Sequence, residues 1–211
     1  MGRERIFTCH RMVRGVEYIN IKNVDSSLRK TLARGLAEFY RELHSVSMDL
    51  FDFIGDTRQF STSSFGLRGR EDTLGEILAG EYQNDLERRL DYLDSYRNFD
   101  PRDDVLCHND LHGENFLVAD GRLSGVIDFG SVVKRKCDAD FAQLLEYDSR
   151  LAIMVMEEYE GLAGRKIDIE YAYNLQKIRC YGMLLWFAER NDEKFMEQLK
   201  KFVKNMNRLE F

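Results

Sequence analysis

One proline, Pro101, stands in 211 residues. Proline breaks helices by removing a backbone donor, so almost nothing here interrupts the apolar periodicity, and that periodicity is helical over most of the chain. Leu28, Leu32, Leu36, Phe39 and Leu43 recur at helical spacing behind Ser26 and Ser27, either of which can cap a helix running to about Met48. The Gly- and Ser-rich stretch 55–69 has no clear period and reads as a loop. Thr73 is expected to cap a further helix whose stripe, Leu74, Ile77, Leu78, Leu86, Leu90 and Leu93, ends near Phe99 and Pro101. Helical spacing returns from Asp138 onward, over 141–147, 149–159, 168–190 and 192–209.

The period changes in the middle. Val105, Leu106 and Cys107 make a short strand-like run, and the runs 116–118 and 123–127 flank Asp120-Gly121, a dipeptide suited to a tight hairpin turn. The pattern predicts an α+β fold, predominantly helical, with a small β-hairpin insert. A hydrophobic share of 44% against 32% charged excludes disorder as the main theme. No apolar run is long enough for a membrane helix, and MGRERIFTCHRM lacks the apolar core of a signal peptide, so no membrane partner and a cytoplasmic location are expected. The net charge of -6, with no basic cluster beyond Lys134, Arg135 and Lys136, argues against nucleic acid as a partner. Cys9, Cys107, Cys137 and Cys180 form no C-x-x-C pair and are read as reduced thiols.

The chemistry lies in residues 107–130, CHNDLHGENFLVADGRLSGVIDFG. His108-x-Asp110-x-x-x-x-Asn115 is followed, thirteen positions after Asn115, by Asp128-Phe129-Gly130, which together match the catalytic-loop and metal-binding pattern of kinases. Folding back at Asp120-Gly121 brings Asn115 and Asp128 to one open end of the hairpin, where both can reach one ion. Mg²⁺ prefers oxygen ligands and keeps several waters, so one carboxylate, one amide oxygen and nucleotide phosphates suffice for its shell. Asp110 is placed to accept a proton from a substrate hydroxyl attacking the terminal phosphate. His108, counted with Asp110 in the catalytic set, is read as bracing the loop by hydrogen bonds. The run His108-x-Asp110-x-His112 can also be read as metal ligands of a zinc hydrolase, which leaves Asn115 and the Asp-Phe-Gly unexplained.

The segment resembles the aminoglycoside phosphotransferase and choline kinase-like group, small-molecule kinases with the protein-kinase-like fold. The resemblance rests on His108-Asn109-Asp110-Leu111-His112-Gly113-Glu114-Asn115, on Leu123-Ser124-Gly125-Val126-Ile127-Asp128-Phe129-Gly130, and on Asp140-Phe141-Ala142 opening the next helix. It implies the C-terminal lobe of that fold, with Asp110 as catalytic base, Asn115 and Asp128 as Mg²⁺ ligands, and Asp140 supporting the catalytic loop. Lys136 stands where the group often has a further acid, with Asp138 nearby. The cofactors implied are Mg²⁺ and ATP or another nucleoside triphosphate, and the partner a small-molecule hydroxyl acceptor.

The resemblance also implies a β-rich lobe carrying a phosphate-covering loop, a strand Lys and a helix Glu, for which this sequence has no room. Residues 1–15 read as that lobe's last strand and hinge, where backbone groups of Arg11 and Val13 meet the nucleotide base, and 16–211 as the helical lobe. A separate chain supplying the first lobe, a homodimer through the N-terminal strand, and a truncated, non-catalytic remnant or interaction module are the expectations that follow. For the acceptor, Asp138, Glu146, Asp148, Glu157 and Glu158 are candidates by composition, against a simpler reading as exposed helix acids. Tyr181, Trp186 and Phe187 read as core rather than a substrate platform.

Overall fold

A computed structural model describes residues 12–51, 67, 69–78, 83–95 and 104–206. The loop expected over 55–69 falls almost wholly outside these residues, as do Arg11 and the chain before it, Phe99 to Pro101, and the end of the last helix.

The first helix, α1, spans Ser26–His44. Its cap is neither Ser26 nor Ser27. Asp25, in extended conformation, accepts the Leu28 N–H at 2.7 Å and so satisfies one of the free donors of the first turn. The helix closes at Ser45, three residues before the expected end. One face buries Leu32, Leu36, Tyr40 and Leu43, and the first three pack in one core with residues of α5 (Ser149–Ala163) and the hairpin.

The stripe expected as a single helix from Thr73 is two helices, α2 (Glu71–Ile77) and α3 (Gln83–Ser95), and Thr73 lies inside the first of them. Arg70 stands at the N-cap without a side-chain bond. Leu74, Leu78, Leu86 and Leu90 still bury together, against α6 (Ile169–Ala188) and α7 (Glu193–Met206). The interior therefore has a core around α1 and α5 and another around α6. The short helix α4 (Ala142–Tyr147), which follows a 3-10 turn over 137–141, lies between them.

Two small antiparallel sheets lie beside the helices. β1 (Val16–Glu17), β3 (Phe116–Ala119) and β4 (Arg122–Val126) form one in the order β1-β3-β4. Phe116 faces Val126 and Ala119 faces Arg122, with a bulge between Leu117 and Val118. Asp120 and Gly121 turn the hairpin with φ of 50° and 70°, the left-handed pair that a two-residue turn of this type demands. The other sheet pairs β2 (Asp104–Cys107) with β5 (Val133–Lys136), Cys107 facing Val133. The basic run Lys134-Arg135-Lys136 is thus a strand. Its charged side chains concealed it from an alternation test.

Three described cysteines, Cys107, Cys137 and Cys180, are buried free thiols. Tyr181 is core as expected. Trp186 is not: it is 49% exposed, with the Arg190 guanidinium 3.7 Å from its ring centroid. No described helix is long and apolar enough to cross a membrane.

The cap assignment is testable. Asp25→Ala is expected to lower unfolding free energy by about 1 kcal/mol in urea titration. Ser26→Ala and Ser27→Ala should each stay within about 0.5 kcal/mol of the parent.

Candidate active site

The loop 108–115 connects β2 to β3, and its polar side chains other than the exposed Glu114 are held. Asn109 takes a left-handed backbone, φ 63°, a region uncommon for non-glycine residues though more open to asparagine than to most, and its surroundings hold it there. The surroundings are a buried carboxylate and two guanidinium groups. Asp140 accepts the backbone N–H of His108 at 2.9 Å and of Asn109 at 2.6 Å. The Asn109 side chain receives Arg135 at 3.0 Å and also Arg179, which additionally reaches its backbone oxygen at 3.3 Å.

His108 is fully buried and both its ring nitrogens are engaged. Nε2 lies 3.0 Å from the Ile127 carbonyl, and Nδ1 accepts the Asp110 N–H at 3.3 Å. Its ring packs against Phe129 with centroids 4.8 Å apart. His108 therefore ties the loop to the strand end that carries Asp128, and it has no nitrogen left for a metal. The zinc-hydrolase alternative loses its first ligand on that ground.

Asp110 projects from the loop with its side chain 31% exposed. Gln143 Nε2, from α4, donates to Asp110 Oδ1 at 2.8 Å. Asn115 Nδ2 donates to the Asp110 carbonyl at 2.7 Å, lies 3.5 Å from Oδ2, and is 3.2 Å from His112 Nε2. His112 in turn stacks on Tyr147, centroids 5.4 Å apart. A β-carbon on Gly113 would come within 2.8 Å of that tyrosine ring, so only glycine admits the approach.

The hairpin does bring its two ends together: the Ile127 N–H bonds the Asn115 carbonyl at 2.9 Å. Asn115 is buried, and with its amide nitrogen committed to the loop, the amide oxygen is the atom it offers a ligand. Asp128 follows the strand with φ 60° and ψ 68°, a second strained non-glycine residue, and its Oδ1 takes the Gly130 N–H at 3.3 Å. The carboxylate is exposed. An amide oxygen and an open carboxylate are both hard oxygen donors, of the kind that suits Mg²⁺ and not a thiophilic metal. Val13 packs on β4, where a β-carbon on Gly125 would meet it at 2.5 Å.

A polar cluster lies beside Asp110 between α4 and α6. Gln176 donates to Glu146. Burial pushes Glu146 up to about 7 although Arg179 and Gln176 pull it down. Burial first, and then the nearby Arg135, lowers Arg179 to about 10. Gln143 Oε1, Gln176 Oε1 and Arg179 Nη1 are buried without a hydrogen-bond partner among the described residues.

The acids suggested by composition separate sharply. Asp138 is buried, accepts the Asp168 N–H and pairs with Lys136 at 3.3 Å, so it fastens the 3-10 turn to the start of α6. Asp148 caps α5 and receives Tyr18 at 2.7 Å and Arg29 at 2.8 Å. Burial pushes its carboxyl up, but the Leu151 N–H, Arg29 and Tyr18 outweigh that and hold it below the ordinary range. Glu157 and Glu158 lie on α5 towards Arg34, as surface acids. Burial thus corrects the exposed-acid reading for Asp138, Glu146 and Asp148.

Sequence reasoning missed Gln143, Arg179 and His44. For the first two nothing in the local pattern marks them, since Gln143 reaches Asp110 across 33 positions and Arg179 reaches Asn109 across 70. His44 had a signal: it continues Leu36 and Tyr40 at intervals of four, along the buried face of α1.

A mostly helical lobe that presents such a loop beside a hairpin is the C-terminal lobe of a protein-kinase-like fold. The chain belongs to the phosphotransferase enzyme family, whose model matches residues 2–171. Among solved structures it is similar to the GDP and kanamycin complex of APH(2")-IIia, with a TM-score of 0.71, 20% identity, and coverage of 96% of this chain and 71% of that one. It is also similar to the GDP complex of wild-type aminoglycoside 2'-phosphotransferase-IIIa (TM-score 0.63, 19% identity, 93% and 69% coverage). A third is the apoenzyme of macrolide 2'-phosphotransferase MphH from Brachybacterium faecium (TM-score 0.56, 18% identity, 95% and 69% coverage). No curated protein matches in sequence.

Glu146 sets a pH dependence of stability. The folded chain keeps its proton up to about pH 7, while the unfolded chain releases it near the ordinary 4.5, so the native state binds more protons across that window. Stability contributed by the protonated carboxyl is full below about 4.5 and is lost as pH rises through about 7. Urea unfolding of parent and Glu146→Gln across this range should give a difference that shifts against the parent with rising pH. A constant difference would refute it.

Proposed function

We propose that the chain is the helical lobe of a small-molecule kinase, which transfers the terminal phosphoryl group of a nucleoside triphosphate, ATP or a relative, to a hydroxyl of its acceptor. The observation that carries the reading is the convergence on one loop: Asp110 oriented by Gln143 and Asn115, with the Asp128 strand end tied to the same loop through His108 and the Ile127–Asn115 bond.

Asp110 accepts the acceptor's hydroxyl proton as its oxygen attacks phosphorus, and the Gln143 bond to Oδ1 turns Oδ2 towards that proton. Asn115 Oδ1 and Asp128 are the ligands of a Mg²⁺ ion, which when bound supplies neutralisation of phosphate charge. His108 keeps the loop and the Asp-Phe-Gly turn in register and transfers no proton. Val13 and Arg11 are assigned to the base side of the nucleotide. GDP in two of the related structures and kanamycin in one support a nucleotide and a small hydroxylated acceptor.

Titration of Mg-ATP and Mg-GTP into the purified chain should raise its melting temperature by mass action. Asp128→Ala removes the shift. Asp110→Ala keeps it but lowers turnover with an acceptor by roughly 10²–10⁴-fold, the ordinary worth of a general base. A parent with no shift at millimolar nucleotide overturns the reading for the chain by itself, in favour of a non-catalytic interaction module or of one half of a split kinase.

The same reading takes residues 16–211 as the helical lobe and the run up to Gly15 as the hinge of a β-rich lobe. A separate chain or a second copy of this one is expected to cover the exposed Met12, Val13, Val16 and Ile19 beside that hinge. In sedimentation equilibrium the second-copy version gives a dimer that Val16→Asp dissociates. A monomeric parent removes that version.

A further inference from the structure

The buried ends of α1 and α5 meet behind the catalytic loop in a chain of hydrogen bonds that the phosphoryl-transfer reading does not use. Tyr159 Oη lies 2.9 Å from His44 Nδ1, and His44 Nε2 lies 2.9 Å from Asp140 Oδ2. Asp140 is the residue whose two carboxylate oxygens hold the N–H groups of His108 and Asn109. The His44 and Asp140 side chains are 3% and 0% exposed. A carboxylate oxygen accepts, so His44 Nε2 is the donor to Asp140, and Nδ1 is the ring atom that Tyr159 engages. Burial raises the Tyr159 hydroxyl above its ordinary range, which keeps it a donor. Tyr40 closes the flank: its ring stacks on His44 with centroids 5.5 Å apart, and its hydroxyl donates to the Asp140 backbone oxygen at 3.0 Å.

Cys107 Sγ also lies within 4.8 Å of the His44 and Asp140 ligand atoms, a grouping that resembles a cation site. Its atoms are already committed. The thiol is directed at the carbonyls of Arg135 and Lys136, and burial keeps it protonated. The histidine and carboxylate are spent on each other, Tyr159 and the loop. The cluster is a hydrogen-bonded tie, not a vacant coordination sphere.

We propose that His44 is a positioning residue for the reaction: pinned by Tyr159, it fixes the Asp140 carboxylate in the one orientation that holds the His108 and Asn109 amides, and so sets the direction of Asp110. The leverage comes from Asn109. Its left-handed backbone, one residue before the base, relaxes once its N–H is released, and the Asp110 side chain turns away from the attacking hydroxyl. An ordinary histidine buried for packing would stabilise the fold uniformly. This one acts on two particular amides.

The proposal rests on the kinase reading for its effect on turnover, and on geometry alone for its effect on the loop. Amide hydrogen exchange by NMR on the full 211-residue chain without nucleotide tests the latter. In His44→Leu the His108 and Asn109 amides should exchange about tenfold or more faster, beyond any uniform change at the amides of Ala152 and Met196, which are bonded elsewhere. His44→Gln, whose amide can donate to Asp140, should restore protection. Tyr159→Phe should give a smaller acceleration at the same two amides, and it carries the test if His44→Leu does not fold. Acceleration shared equally by all four amides, or His44→Gln matching His44→Leu, overturns the proposal. In turnover, His44→Leu should lower kcat with the KM for nucleotide unchanged, and His44→Gln should recover it. A parent with neither a nucleotide-induced melting shift nor turnover refutes the kinase reading for the chain by itself and leaves the exchange result to decide the role of His44.

Discussion

A carboxylate removed from water must find donors for its lone pairs, and Asp140 finds them in the backbone of the catalytic loop and in His44. Much else follows from that one buried charge. It draws the segment after β2 down onto the helical layer, and it fixes where the loop turns. It also couples α1, the 3-10 turn before α4 and the loop into a unit. Breaking any one contact leaves a charge or an N–H without a partner in a dry interior, so the arrangement is held by what its loss would cost.

Around that tie the fold divides its work. The helices supply two cores, one around α1 and α5 and the other around α6, and these provide rigidity. The two small sheets supply position. β2 and β5 deliver the loop at one end, and β3 and β4 deliver Asn115 and the approach to Asp128 at the other. Strained backbone sits where the chemistry would be, at Asn109 and Asp128, and at neither does a glycine relieve it. Each conformation costs on the order of 1–3 kcal/mol and persists because its surroundings over-determine it.

Most of the helices were legible, because apolar spacing reports burial on one face and α1 and α5 each bury one, whereas α6 is buried all round over 171–178. The hairpin was legible from Asp120-Gly121, since a left-handed pair narrows the residues allowed there. The catalytic-loop pattern was legible from spacing alone. The cap of α1 was not: Asp25, Ser26 and Ser27 are all competent, and the choice depends on which residue leaves helical geometry first. The single helix expected from Thr73 also failed, because apolar periodicity carries across a short break and does not reveal it. β5 was invisible, since Val133–Lys136 is charged and gains its structure from a partner strand far away in sequence. Trp186 was placed inside on its apolar character, yet a guanidinium cover allows it to remain at the surface.

The amino-acid sequence by itself determined the helical character, the hairpin, and the family to which residues 107–130 point, because these depend on local periodicity, turn chemistry and short spacings. Only the tertiary structure decided what surrounds Asp110. Gln143, Arg179, Asp140 and His44 come from helices and turns scattered along the chain, and nothing local distinguishes a glutamine or histidine that packs from one that orients a neighbour. Burial makes that difference, by leaving each polar atom to find a partner inside the protein, and burial exists only once the cores have closed.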